Sequence, residues 1–179
     1  MESGLLTRRE YDRLVARGVF DDAPVELLDG RIVVMSPQGE WHASLTEWLG
    51  RKLWSMLDES YSVRQHSPFV AGVRSEPEPD VSVSLRRKRR PSHPTKALLL
   101  VEIAESSLAR DRGIKAAIYA ENGAAEYWIV DVKARCVWVH TEPSRGAYKR
   151  IVKLGRRDRL VPAQLPGISI SIADMFALR

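Results

Sequence analysis

Long apolar runs are missing from this chain of 179 residues. None approaches the roughly 18–20 residues needed to span a bilayer, so a membrane-spanning role is excluded. Its single cysteine, Cys136, excludes an internal disulfide framework and any all-cysteine zinc site. The four histidines, His42, His66, His93 and His140, have no ligand-like spacing, which argues against a zinc centre. There is no internal repeat, no dividing linker and no biased stretch, and the ten prolines and eleven glycines are scattered. Collagen-like and low-complexity classes therefore drop out. Met1 to Leu6 lack the apolar stretch of a signal peptide. The expectation is one cytoplasmic domain over residues 1–179.

What is present is ordinary in amount, with 44% hydrophobic and 28% charged residues, but uneven in distribution. The net charge of +5 conceals an acidic first part and a basic second part. Residues 1–85 hold 9 Lys+Arg against 14 Asp+Glu, and residues 86–179 hold 19 against 9. An acidic feature in the first half and a polyanion-facing surface in the second would produce this split. A solvated charged surface would produce it too.

The hydrophobic pattern predicts an α/β domain on a mixed sheet. Thr7 with Glu10 makes a capping-box start for a helix over 7–17, with Tyr11, Leu14 and Val15 inward. Asp29-Gly30 between Val25–Leu28 and Arg31–Met35 is a hairpin signal. A helical stripe of Trp41, Leu45, Trp48, Leu49, Leu53, Met56 and Leu57 follows over 40–58. Its tryptophans, with Trp54, read as packing residues. Strands are expected at 61–72, 79–84 and 97–103, the last buried on both faces. A second major helix over 110–122 would turn Ile114, Ala117 and Ile118 inward, and Asn122-Gly123 would close it. Strands at 127–131, 136–140 and 148–154 and a short helix at 171–178 complete the pattern. Cys136 falls in an apolar alternation and reads as structural.

Three residues stand out chemically. Asp80 opens one strand, with Glu78 pointing to the same face. Glu102 ends the most buried strand, where an ionised carboxylate is costly unless paired or bound to a cation. Lys115 shares a helix face with Asp111 and Tyr119. Two carboxylates at neighbouring strand ends suit a hard cation such as magnesium. A nearby lysine can orient water and stabilise charge on a phosphate. Metal-assisted phosphodiester hydrolysis needs this combination. Each residue also has a structural reading: Asp80 as a turn cap, Glu102 as half of an ion pair with Lys115 or Arg110, and Lys115 as a solvated charge.

A further pattern runs through Val101-Glu102-Ile103-Ala104-Glu105-Ser106-Ser107, Asp111-Arg112, Lys115, Tyr119-Ala120, Gly123 and Glu126-Tyr127-Trp128-Ile129-Val130-Asp131. Together with Glu26–Gly30, Met35-Ser36-Pro37, His42, Pro79-Asp80-Val81 and Leu165–Ile168, it resembles the Uma-two family from about residue 25 onward. These are restriction-endonuclease-like proteins of the PD-(D/E)XK nuclease superfamily. The resemblance implies a restriction-endonuclease-like fold, a mixed β-sheet flanked by helices on an αβββαβ core. Asp80 would match the acid of the first half-motif and Glu102 that of the second. Ala104 stands where the common motif has lysine, and Lys115 occupies the helix position used instead. Glu26 matches a family acidic residue associated with the metal site, and His42 matches the helix histidine. The departure is Ala104–Ser107, where relatives carry Ser-Pro-Ser-Thr; it leaves Asp80, Glu102 and Lys115 intact.

The expectation is thus an endonuclease using magnesium or manganese, with nucleic acid, DNA above all, as partner and no membrane. Asp80, Glu102 and the main-chain carbonyl of Ile103 would hold the metal, Glu26 would assist, and Lys115 would position water or touch phosphate. The basic run Arg86, Arg87, Lys88, Arg89 and Arg90 lies between Asp80 and the prolines Pro91 and Pro94, and an exposed loop there suits phosphate contact. By analogy with enzymes that cut two strands, a homodimer is conceivable. The competing reading is a catalytically inactive nucleic-acid-binding module that keeps the fold. A third is an interaction domain with an ion-paired core.

Overall fold

The computed structural model describes residues 4–86 and 92–177. Thr7 and Glu10 form the expected capping box at the start of α1 (Arg8–Ala16). Tyr11 is buried and donates its hydroxyl to the Val25 carbonyl at 2.9 Å. Val15 is exposed, because α1 packs through a small cluster of Tyr11, Val25, Leu27, Leu6 and Phe20 that covers only a narrow stripe of it. The hairpin pairs β1 (Val25–Leu28) with β2 (Arg31–Val34), and Leu28 lies opposite Arg31. Asp29 and Gly30 both take positive φ, at 47° and 77°, as a two-residue hairpin turn requires.

Helix α2 (Glu40–Met56) buries Leu45, Leu49 and Leu53. Its tryptophans correct the packing expectation. Trp48 is partly buried, Trp41 is exposed and Trp54 is 60% exposed, because the covered stripe is only about one residue in three wide.

Six strands form the main sheet: β3 (Tyr61–Gln65), β4 (Val81–Leu85), β5 (Leu99–Ala104), β6 (Glu126–Asp131), β7 (Cys136–Ser144) and β8 (Ala147–Leu154). They lie in that order across it. Only β5 and β6 run parallel; the other neighbours are antiparallel. Strand β3 stops well short of the expected 72, since His66 turns to positive φ (43°) and Pro68 has no N–H to donate. A small ladder of β9 (Arg159–Leu160) and β10 (Ile170–Ser171) precedes the one-turn α5 (Ile172–Met175). Among the described residues no helix is long and apolar enough to cross a membrane.

The β5–β6 crossover positions the site. It comprises α3 (Leu108–Arg110), a π-helical turn (Asp111–Lys115) and α4 (Ala116–Glu121). The Ala116 N–H reaches back five residues to the Asp111 carbonyl, which widens the turn and shifts the downstream register. Ile114 and Ala117 therefore face outward, Ile114 at 39% exposure, while Lys115, Ala116 and Tyr119 are buried. This reverses the expected orientation of Ile114 and Ala117.

The sheet has two unlike faces. On one, Leu45, Leu49 and Leu53 pack against Val81, Val83, Val101, Ile103, Trp128 and Val130. On the other, Ala116, Ile118, Tyr119 and Ala120 pack against Leu100, Ala104, Tyr127 and Ile129. Strand alternation places Glu102 on this second face, between Leu100 and Ala104.

Candidate active site

Glu102 reaches the C-terminal end of β5 only 4% exposed. Its Oε1 accepts from the Lys115 ammonium at 3.0 Å and from the Tyr119 hydroxyl at 2.6 Å. Lys115 and Tyr119 lie one turn apart on the crossover, so a single helix face supplies both donors. Lys115 is also 3.0 Å from Glu26 Oε2, contributed by β1 of the hairpin. One ammonium thus serves two buried carboxylates. Burial would lower the lysine pKa, but Glu102 and Glu26 outweigh it and hold Lys115 above the ordinary lysine value. For Glu102, burial raises the pKa well above the carboxylate range, and the shared lysine offsets only part of this. Burial likewise raises Asp111, although Ser107 donates to its carboxylate.

Asp80 enters from the start of β4, held from three directions. Its Oδ2 accepts the Ile103 amide at 2.7 Å. The same oxygen lies 3.1 Å from His42 Nε2, near the start of α2, and Oδ1 lies 3.5 Å from His66 Nδ1. The β3–β4 register explains His66: Gln65 pairs with Val81, so the next residue falls beside Asp80. His42 has its pKa raised, because burial, which disfavours the charged ring, is outweighed by the hydrogen bond and charge of Asp80. Glu78, beside Asp80, is raised by burial and then by Glu26. Glu26, Glu78, Asp80, Glu102 and Lys115 all line one cleft of about 380 Å³, with Ile103, His42 and His66.

The comparisons with known proteins fall on this arrangement. The profile of the Uma2 family, described as "Putative restriction endonuclease", matches residues 8–173. The chain belongs to the Uma2 family. Its fold is similar to that of a solved chain described as "a putative nuclease belonging to DUF820" from Anabaena variabilis ATCC 29413. The TM-score is 0.76 at 17% identity, covering 96% of this chain and 98% of the other. No curated protein matches the sequence.

The Uma2 family is restriction-endonuclease-like, and such proteins generally use divalent metals. The residues present fit one. Among the described residues no three of His, Cys, Asp and Glu assemble into a ligating cluster. Magnesium needs no such cage: it is commonly held by one or two carboxylates and keeps several waters. Asp80 and Glu102 would supply the carboxylates; among the described residues the hydrogen bonds to the Glu102 side chain fall on Oε1, which would leave Oε2 for a cation. The Ile103 amide points to Asp80, and strand geometry turns the carbonyl of the same residue to that side. Glu26 Oε1 is buried without a hydrogen-bond partner among the described residues, an orphan that a cation or proton would relieve.

Asp80, Glu102, Lys115, Glu26 and Ile103 are brought together; Arg86 is not among them. Arg86 leaves β4 at the end opposite Asp80, roughly 20 Å along the strand, and its guanidinium Nε donates to the Tyr61 carbonyl. Arg87, Lys88, Arg89 and Arg90 lie outside the described residues. Sequence reasoning gave His66 no role, for lack of any local signal, and treated Arg110, which also lines the cleft, only as a possible ion-pair partner.

Proposed function

We propose that this Uma2-family protein is a divalent-metal-dependent nuclease that hydrolyses phosphodiester bonds in DNA, with magnesium or manganese as the metal. The observation that carries the reading is the excess of buried acid over buried cation: among the described residues one ammonium, that of Lys115, is in contact with both Glu102 and Glu26, beside Asp80. Natural cores avoid uncompensated carboxylates unless a ligand completes them.

In this reading Asp80, Glu102 and the Ile103 carbonyl hold the cation. A divalent cation held by them would supply a more acidic bound water and neutralisation of charge on the phosphate. The protein groups do the rest. The Ile103 amide and His42 fix the Asp80 carboxylate before substrate arrives, so little reorganisation is needed. Tyr119 fixes Glu102 in the same way. Lys115 carries three N–H donors, two of them directed at Glu102 and Glu26, and the third is offered to the attacking water or a phosphate oxygen. The basic run Arg86–Arg90 adds sequence-independent affinity by contacting phosphates.

In the competing reading, an inactive binding module, the Lys115 contacts would be structural only. Cleavage of labelled single- and double-stranded DNA and RNA with magnesium or manganese separates the two. The nuclease reading expects metal-dependent cleavage by the wild type that Asp80→Ala and Glu102→Gln abolish, with circular dichroism unchanged. Binding without cleavage in every metal would establish the module instead.

A further inference from the structure

The cleft is electrostatically wrong for its substrate. Its lining carries six acids, Glu26, Glu78, Asp80, Glu102, Glu105 and Asp111, against Lys115 and Arg110. Even a bound divalent cation leaves the balance of formal charge negative, and a nucleic-acid strand adds one more charge per phosphate. Lys115 is committed to two carboxylates at 3.0 Å. Of the lysines and arginines in the lining, Arg110 is the one with no ion pair within 4.0 Å among the described residues, although its charge acts on Asp111.

Arg110 closes α3, immediately before the π turn that carries Asp111 and Lys115. Its neighbours on that turn are accounted for. Asp111 accepts from Ser107, and the Arg112 guanidinium lies 4.2 Å over the Trp138 ring. The Arg110 side chain lines the cleft, and its Nε is buried with no hydrogen-bond partner among the described residues. A buried guanidinium N–H without an acceptor is unfavourable, and its planar fork of donors matches the oxygens of a phosphate.

We propose that Arg110 is the phosphate anchor of the cleft, binding a phosphodiester group of the nucleic-acid strand adjacent to the one that is cut. The inference rests on the nuclease reading and adds to it how an acidic cleft retains a polyanion. The anchored phosphate is not the scissile one, since that group belongs beside Asp80, Glu102 and Lys115. Arg110 therefore contributes affinity and register rather than chemistry. Arg110 supplies one point of attachment inside the cleft, independent of the Arg86–Arg90 run.

The test uses a fluorescein-labelled 12-nucleotide DNA, single-stranded and as a duplex, with calcium in place of magnesium for binding and magnesium for single-turnover cleavage. Arg110→Gln is expected to weaken binding about tenfold or more, as expected for the loss of a charge-assisted contact. It should also flatten the dependence of log affinity on log salt by about 0.7–0.9, the amount for one phosphate. Cleavage at subsaturating DNA should fall in step with affinity. Arg110→Lys, which keeps the charge and loses the fork, should lose part of the affinity while retaining the salt slope, and it carries the test if the glutamine variant does not fold. Wild-type affinity and salt slope in Arg110→Gln overturn the proposal. So does unchanged affinity with slowed cleavage, which would place Arg110 on the reacting phosphate. A wild type that binds but does not cut defeats the nuclease reading while leaving the anchor measurable through binding; a wild type that binds no DNA defeats both.

Discussion

Strand β5 belongs to two different environments at once. Val101 and Ile103 point into a layer closed by Leu45, Leu49 and Leu53 of α2. One residue away, Glu102 points into a layer that also holds Lys115, Tyr119 and the Glu26 carboxylate. Both layers are largely buried. The α2 side is stabilised by removing apolar surface from water. The crossover side gives up part of that gain by burying charge. The comparison shows how one sheet separates its tasks: one face secures the fold, and the other holds ionised groups out of water, where their interactions are strong.

The largest effect is expected from breaking the charged face. Lys115→Met preserves much of the stem but leaves Glu26 and Glu102 without their shared ammonium, a change that typically costs about 3–5 kcal/mol. Denaturant titration should show this loss near neutral pH. The loss should shrink as pH falls. Burial already raises the Glu102 pKa, so the folded variant takes up a proton more readily than the unfolded chain and gains stability by doing so.

Leu49→Ala attacks the other face. Removing a fully buried leucine costs about 2–5 kcal/mol, with the same loss at every pH because no titrating group is involved. Cleavage by the folded fraction should be unaffected. If the two variants showed the same pH dependence, the division between faces would be wrong.

A smaller, pH-limited effect belongs to His42, which links the two sides through Asp80. Its folded pKa is raised, so the folded state binds the proton more tightly than the unfolded chain. The stabilisation is complete below the unfolded value of 6.5 and disappears as pH rises through the raised one. Melting of the metal-free wild type should fall as pH rises above 6.5. His42→Gln should flatten that fall. The smallest effect is expected at Trp54, 60% exposed on the outer side of α2. Trp54→Ser should change stability by no more than about 0.5 kcal/mol, as uncoupled surface positions do.

Much of the architecture was legible because it rests on local rules. The capping box at Thr7 and Glu10, the Asp29-Gly30 turn and the apolar run of β5 each depend on a few adjacent residues, and all three form as expected. The same run placed Glu102 at the end of a strand buried on both faces, and helical spacing put Asp111, Lys115 and Tyr119 on one face. Where a reading depended on how wide a helix face is covered, it failed: Val15, Trp41, Trp54, Ile114 and Ala117 are exposed. Amphipathic periodicity says which residues share a face. It does not say how far the neighbouring layer extends over that face, and a π turn changes the phase without a sequence signal.

The sequence alone determined the chemical inventory of the site and the strand and helix that carry Glu102 and Lys115, because periodicity and residue type are local properties. It could not determine that Glu26 is 3.0 Å from Lys115, that His42 and His66 both approach Asp80, or that Arg86 leaves the sheet at the far end from the acids. Those relations join residues tens of positions apart. They follow from the order in which six strands pair and from the side on which the crossover helix returns. Pairing order is set by the burial of the whole sheet, a property of the assembled layers that no segment of the chain carries by itself.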